Sequence, residues 1–174
     1  MQKLLLFFFL IFSNNVFANI DFSGNLSDRP CIIDPAHQDQ NVVFERIADL
    51  TFNNWPGKSY TERFSIKLKH CDVTTFRKVL RLTFLGSEET ALPGHLKVAG
   101  NNAGKLGIGI VDTDGSSLLE LGNSHNSGMG SKVVGLGLTL NFGAFIQSTP
   151  EAIANKSVQP GDYNAIATFE LDYQ

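Results

Sequence analysis

Apolar and polar side chains alternate along most of this chain, and this period of two restricts its fold more than any other feature. In residues 60–68, one parity carries Tyr60, Phe64, Ile66 and Leu68, while the other parity is polar. Side chains two residues apart lie on the same face of a β-strand, so this pattern predicts a strand with one buried face. Further strands are predicted at 79–85, 96–98, 106–111, 117–121, 133–142 and 163–173. The sequence therefore predicts an all-β protein.

Turn residues separate these segments at short intervals. Proline and glycine supply the restricted or positive φ angles that tight reversals need. The turn pairs are Pro56-Gly57, Pro93-Gly94, Asp114-Gly115 and Pro160-Gly161. Helical spacing is nearly absent, although residues 150–156 predict one short helical turn. Short strands joined by tight turns are typical of a β-sandwich or barrel, and no repeat or linker-like segment divides the chain, so we expect one domain.

The first 18 residues predict a secretory signal peptide. Lys3 precedes an apolar run at 4–12, and Val16-Phe17-Ala18 then places a small residue at the expected cleavage position. The apolar run is shorter than the roughly 20 residues that a membrane-spanning helix needs. We therefore expect an exported mature chain that begins near Asn19. The net charge of the whole sequence is −3, without a basic patch, which argues against nucleic acid as a partner.

The whole sequence contains two cysteines, Cys31 and Cys71. Export places both in an oxidising compartment, where cysteines form disulfides, so we expect one Cys31–Cys71 bridge. The alternative is two free thiols that serve a metal or redox site. Neither a CxxC motif nor a cluster of Cys with His supports that alternative.

No motif in the sequence indicates catalysis. The histidines at positions 37, 70, 95 and 125 lack the spacing that would place two imidazoles on one metal, and we expect them to be solvated or at the edge of the core. The segment Asp112-Thr113-Asp114-Gly115 begins like a calcium loop but lacks the later ligands, so we interpret it as a hairpin turn. Trp55 and Tyr60 could stack on a sugar, although we favour a turn-anchoring or core role. We therefore expect no enzyme activity, no cofactor and no small-molecule substrate.

The last 14 residues carry the strongest signal for function. Apolar side chains occupy every odd position from Tyr163 to Tyr173, which predicts a full-length strand with one apolar face. Gly161 is the fourteenth residue from the end, and Tyr173 is the penultimate residue. This arrangement resembles the terminal chaperone-recognition motif of pilins from the chaperone–usher family.

The start of the mature chain resembles a second hallmark of that family. Residues 19–26 (NIDFSGNL) look like the donor strand that precedes the first pilin cysteine, and Asp28-Arg29-Pro30-Cys31 looks like the family's usual lead into the first strand. With Cys71 as the second cysteine, the resemblance covers the whole mature chain. We accordingly divide the chain into a signal peptide (1–18), a donor-strand extension (19–27) and a pilin domain (28–174).

The resemblance implies an incomplete immunoglobulin-like sandwich that lacks its seventh strand and is completed by a donated strand. The missing strand leaves an apolar groove and unpaired backbone edges beside the first and last strands. A periplasmic chaperone would fill the groove first, and at the outer-membrane usher the tail of the next subunit would replace it. The implied partners are therefore the chaperone, the usher and neighbouring pilin subunits.

The resemblance also assigns roles to the two ends. In the tail, Ile20, Phe22 and Leu26 would insert into the preceding subunit, and Gly24 would lie where that subunit's groove leaves no room for a side chain. The residues of the last segment that are expected to wall this subunit's own groove and bind the chaperone are Gly161, Tyr163, Phe169, Leu171, Tyr173 and Gln174.

Within the family, segments 92–98, 106–119 and 158–171 are similar to a minor pilin that joins the tip fibre to the rod. The expected function is that of a structural adaptor, exported through the periplasm to a fimbrium on the bacterial surface. The alternatives are a tip-fibre repeat, or a terminator whose groove cannot accept a following tail. A carbohydrate-binding adhesin is a further alternative, but adhesins of this system usually carry an additional receptor domain, for which this chain has no room.

Overall fold

The structure of the protein, a computed structural model, describes residues 31–174. The predicted signal peptide lies outside the described residues. So does the predicted donor strand with Ile20, Phe22, Gly24 and Leu26. Both remain predictions, as does the division of the chain at residues 18 and 27.

Short strands joined by turns account for most of the regular structure of residues 31–174. In chain order the strands are β1 (Ile32–Ile33), β2 (Glu62–Lys69), β3 (Val79–Gly86), β4 (Leu96–Lys97), β5 (Ala99–Gly100), β6 (Leu106–Val111), β7 (Leu118–Leu119), β8 (Ser131–Lys132), β9 (Gly137–Ser148), β10 (Tyr163–Asn164) and β11 (Ala167–Tyr173). The helices are α1 (Asp49–Phe52), α2 (Pro150–Asn155) and two 3-10 turns, Pro35–His37 and Val73–Thr75. The predicted helical turn at 150–156 is confirmed by α2, which is capped by the Thr149 side chain.

The strands form two main antiparallel sheets. The larger sheet has the order β1-β2-β9-β6-β4, and β7 pairs with β6 across the predicted hairpin turn at 112–115. The smaller sheet has the order β11-β3-β8, and β10 pairs with β5 in a separate two-stranded ribbon. Because the strand order of neither sheet closes on itself, each sheet keeps free edges within residues 31–174.

Side chains from the two sheets meet in one core. The inner residues of β2 and β3 are almost completely buried, as the alternation predicts: Ile66, Leu68, Leu80 and Leu82. The ring of Phe84 links the sheets. Its centroid lies 6.1 Å from that of Phe64, 5.1 Å from that of Phe142 and 6.2 Å from that of Phe169. Edge-to-face pairs of this kind stabilise a core by about 0.5–1.5 kcal/mol each beyond their burial.

Two predicted strands have different limits in the structure. The prediction at 133–142 is wrong in its first part, because Val133 leaves β8 to enter the core and β9 begins only at Gly137. β9 then continues to Ser148, since it pairs first with β2 and then with β6. The terminal strand is interrupted at residues 165–166, because β10 pairs with β5 whereas β11 pairs with β3.

Trp55 and Tyr60 do not have a core role, which was one of the two roles, turn-anchoring or core, that we favour from the sequence. Their exposed fractions are 86% and 89%, so neither side chain packs in the core. The chain already pairs with β9 at Ser59, whose N–H donates to the carbonyl of Ile146 (2.9 Å), and β2 begins only at Glu62. Tyr60 therefore lies outside the alternating strand and does not share its apolar face.

Cys31 and Cys71 form the predicted disulfide, and their Cα atoms lie 4.0 Å apart. The bond joins the residue before β1 to the chain just after β2. Closing a loop of 40 residues removes conformational entropy from the unfolded chain, which corresponds to about 4 kcal/mol in the simple loop-entropy description. The disulfide therefore fixes the two-residue strand β1 at the edge of the larger sheet.

His125 is completely buried, which differs from the expectation of a solvated or core-edge histidine. The N–H of Leu82 in β3 donates to Nδ1 of the ring (3.0 Å). Nε2 therefore carries the proton and donates to the hydroxyl of Ser131 (2.9 Å). The loop around His125 is held by Asp112, whose carboxylate accepts two backbone N–H groups of that loop. Burial lowers the pKa of His125, and the Asp112 charge opposes this shift without cancelling it.

We expect the buried His125 to make stability depend on pH. Its pKa is lower in the folded protein than the ordinary value of 6.5, so the unfolded chain binds the proton more readily. The stabilisation is therefore fully present above about pH 6.5 and is lost as the pH falls toward the folded-state pKa. Thermal unfolding between about pH 7.5 and about pH 5 should show a falling melting temperature. His125→Asn, which retains an acceptor, should flatten that slope, and equal slopes in both proteins would contradict the assignment.

Candidate functional site

The last strand, β11, lies at an edge of the smaller sheet. All seven of its residues pair with β3, from Ala167 opposite Gly86 to Tyr173 opposite Leu80. Within residues 31–174 no strand pairs with its other side. The backbone N–H and C=O groups along that side are therefore available to a further strand.

A second unpaired segment, residues 39–47, lies beside β11. Within the described part of the chain, the backbone of this segment makes no hydrogen bond to other backbone groups. Its side chains nonetheless alternate, because Val42 and Phe44 are partly buried against the core whereas Val43 is 70% exposed. The segment therefore has the side-chain pattern of a strand without a strand's hydrogen bonds.

An apolar groove runs between β11 and residues 39–47. Its central part has a volume of about 350 Å³. The floor is made of core side chains from both sheets: Phe64, Ile66, Phe84, Ile108 and Ile110. A second cavity of about 670 Å³ continues beside Tyr163 and is also lined by Val42 and Phe44. We call the two cavities together the groove; at their junction, the ring centroids of Phe44 and Tyr163 lie 6.3 Å apart.

Three of the six predicted terminal residues line this groove: Gly161, Tyr163 and Phe169. Phe169, Leu171 and Tyr173 lie on the inner face of β11 and are half-buried, although the alternation would allow complete burial. Incomplete burial indicates that the side of the core facing the groove is not covered by residues 31–174. Tyr163 lines the groove from β10, next to the interruption of the terminal strand.

The two ends of the terminal segment lie outside β10 and β11. Gly161 precedes β10 with a φ of +153°, a backbone conformation that residues with a side chain rarely adopt, so a substitution there would be strained. At the other end, the backbone of exposed Gln174 exchanges two hydrogen bonds with Val79 (2.7 and 2.9 Å). The chain terminus is therefore fixed at the start of β3.

The apolar floor of the groove can accept the side chains of an extended chain, and the larger cavity is also lined by charged residues such as Glu45, Arg46 and Asp162. Burial raises the pKa of both Tyr163 and Tyr173, so both phenols stay neutral at physiological pH. The Tyr173 hydroxyl is buried and has no hydrogen-bond partner among the described residues. Within residues 31–174, no group of three or more His, Cys, Asp or Glu side chains is placed to bind a metal.

A sequence model of the family described as "Fimbrial protein" matches residues 20–174. This chain belongs to the fimbrial protein family. It is 53% identical over 171 residues to the "Fimbrial adapter PapK" of Escherichia coli, covering 98% of this chain and 96% of that relative. It is 34% identical over 160 residues to the "Fimbria A protein" of Serratia marcescens, covering 89% of this chain and 83% of that relative.

Solved structures of fimbrial proteins share the fold. The crystal structure of the P pilus rod subunit PapA matches with a TM-score of 0.69, covering 83% of this chain and 99% of that chain. At 20% sequence identity this likeness concerns the fold alone. The predicted all-β, incomplete immunoglobulin-like sandwich and the predicted pilin family are thereby confirmed. This fimbrial protein is a structural subunit of a surface pilus, and it assembles with neighbouring pilins.

One wall of the groove was not predicted from the sequence of this fimbrial protein. Residues 39–47 were not assigned to any element, although Val42 and Phe44 form part of the groove and Ile47 packs on the core. The alternation of Val42 and Phe44 with Val43 and Glu45 was the available signal. It is short and lies among polar residues, so it is weaker than the pattern in β2.

The helices within residues 31–174 are all too short to span the hydrocarbon core of a bilayer.

Proposed function

We propose that this fimbrial protein is the adaptor subunit of a chaperone–usher pilus, and that its groove receives a single donated strand. The observation that carries the proposal is the free edge of β11 beside an apolar groove whose floor is the core of the domain. An added strand would pair with β11 and residues 39–47 while its side chains cover the floor. The donated strand would thus complete the sandwich.

The donated strand comes first from a periplasmic chaperone and then, at the outer-membrane usher, from the next subunit. Without it, the free edge and the apolar floor would make the subunit prone to aggregation. Full burial of three apolar side chains in the groove contributes roughly 5–9 kcal/mol before the costs of ordering the strand. The terminal residues from Gly161 to Gln174 provide the chaperone-binding wall.

This subunit's own donor strand, residues 19–26, serves the preceding subunit. Ile20, Phe22 and Leu26 insert into that subunit's groove, and Gly24 occupies a point of close approach. The polar residues between them face outward. Each subunit then offers a strand at one end and a groove at the other, as a linear fibre requires.

The adaptor position, between the tip fibre and the rod, is supported by the 53% identity to the relative named "Fimbrial adapter PapK". The open groove favours this position over that of a terminator, whose groove could not accept a following strand. The subunit passes through the periplasm before it joins the pilus at the cell surface.

Strand exchange with synthetic peptides tests the proposal. A peptide of residues 19–28 should displace the chaperone from the preceding subunit. Gly24→Leu should slow that displacement by about tenfold or more, because overpacking a close contact typically costs about 1–3 kcal/mol. The matched control is Ser23→Leu, which adds the same side chain to the outward face and should leave the rate nearly unchanged.

Displacement is measured by native gel or by the fluorescence of a labelled peptide. Equal rates for the native and Gly24→Leu peptides would contradict the role of Gly24. Failure of the native peptide to bind would contradict the donor-strand role of residues 19–26.

A further inference from the structure

Three large apolar side chains form an exposed patch at the disulfide end of the domain. Val73, Val134 and Leu136 are 69%, 81% and 69% exposed. We call these three residues the pole patch. Val134 and Leu136 flank Gly135, and Val134 directly follows Val133, whose side chain enters the core.

Backbone contacts hold the pole patch beside the disulfide. The N–H of Cys71 donates to the carbonyl of Leu136 (3.1 Å), and Val73 follows Cys71 by two residues. Cys71 is bonded to Cys31, the first described residue. Leu136 and Val73 of the pole patch therefore lie close to the point at which the N-terminal extension enters the domain.

The length of that extension limits what can lie opposite the pole patch. Under the proposed function, residues 19–26 are seated in the preceding subunit, which leaves residues 27–30 as the connection to Cys31. Five Cα-to-Cα steps join Leu26 to Cys31, so this connection spans at most about 18 Å, even when fully extended. The domain of the preceding subunit must therefore lie within that distance of the disulfide, which brings its surface next to the pole patch.

We propose that the pole patch docks on the domain of the preceding pilin subunit and fixes the angle between the two domains. This inference rests on the proposed function, because the donated strand brings the preceding subunit into range. Two exposed cations lie near the pole patch. Lys132 is two residues before Val134 in the sequence, and the backbone N–H of Arg77 donates to the carbonyl of Val133 (2.9 Å). An apolar centre with a charged rim is the usual composition of a protein interface.

Photo-cross-linking of the two-subunit complex tests this docking. Benzoylphenylalanine in place of Leu136 should cross-link to the preceding subunit after strand exchange, with the partner peptide identified by mass spectrometry. The matched control replaces Tyr60, which is 89% exposed and precedes the opposite end of β2. That position should give no cross-link to the preceding subunit.

A charge substitution separates docking from simple proximity. With benzoylphenylalanine in place of Val73, the double substitution Val134→Asp with Leu136→Asp should lower the cross-link yield by about tenfold, as expected when central interface residues are lost. The substituted chain should still exchange its donor strand at the wild-type rate, because residues 19–26 are unchanged.

Three outcomes would overturn the docking while leaving the proposed function intact, provided that the two-subunit complex forms. In the first, benzoylphenylalanine cross-links only to residues of its own chain. In the second, it cross-links to the chaperone but never to the preceding subunit. In the third, the cross-link yield at position 73 is the same with and without Val134→Asp and Leu136→Asp. If neither the full chain nor the peptide of residues 19–28 joins the preceding subunit, the proposed function fails and the docking fails with it.

Discussion

A chain that lacks residues 19–26 is expected to accumulate as a folded one-to-one complex with its chaperone and to be unable to join the preceding subunit. The described core of the domain consists of residues beyond Cys31, and the groove that is proposed to bind the chaperone lies between β11 and residues 39–47. The deletion therefore removes the donated strand without removing any described part of the acceptor. The loss of joining should be complete.

The measurement is copurification with the chaperone, followed by in vitro assembly with the preceding subunit. The control is a chain in which the outward-facing Asp21, Ser23 and Asn25 are replaced by alanine, which should join the preceding subunit. Failure of the deleted chain to bind the chaperone would contradict the separation of the two ends. Assembly of the deleted chain would show that another segment is donated.

A second large effect is expected at the terminal strand. Replacing Leu171 and Tyr173 with aspartate should abolish the chaperone complex and expose the subunit to proteolysis. Both side chains lie half-buried on the face of β11 that borders the groove, so two carboxylates would have to enter an apolar contact. A loss of at least about 100-fold in affinity is expected, since each buried carboxylate costs several kcal/mol.

Thr168→Asp provides the matched control for this strand. Thr168 is exposed on the opposite face of β11, where Glu170 and Asp172 already lie. A carboxylate at that position should leave chaperone binding nearly unchanged. Normal copurification of the Leu171→Asp and Tyr173→Asp double variant would argue that β11 does not contact the chaperone.

Local alternation predicts the strands of this fold where a strand has one buried and one exposed face. This condition holds for β2 and β3, whose inner residues are buried as expected. It fails for β9, which has neighbours on both sides and whose second half is buried on both faces. The break at 165–166 was not predictable either, because the alternation continues through it and only the pairing partners change.

The candidate site was predicted in part. Of the residues identified from their odd positions, Tyr163, Ala165, Ala167 and Phe169 line the groove, whereas Leu171 and Tyr173 lie farther along β11. The opposite wall depends on Val42 and Phe44, which sequence patterning alone did not distinguish from a polar loop. The burial of His125 was also missed, because it depends on a backbone N–H in β3, 43 residues away in the chain. Such long-range contacts leave no local pattern.

The disulfide next to β1 determines how the proposed fibre would carry tension. Load applied through residues 19–30 enters the domain at Cys31, and β1 alone would resist that load with only two paired residues. The bond to Cys71 instead transfers the load to the end of β2, which pairs with β9 along its whole length. A strand pulled along its own axis is loaded in shear, so all eight residue pairs resist together. The disulfide thus connects the N-terminal extension to the eight paired residues of β2 as well as to the two of β1.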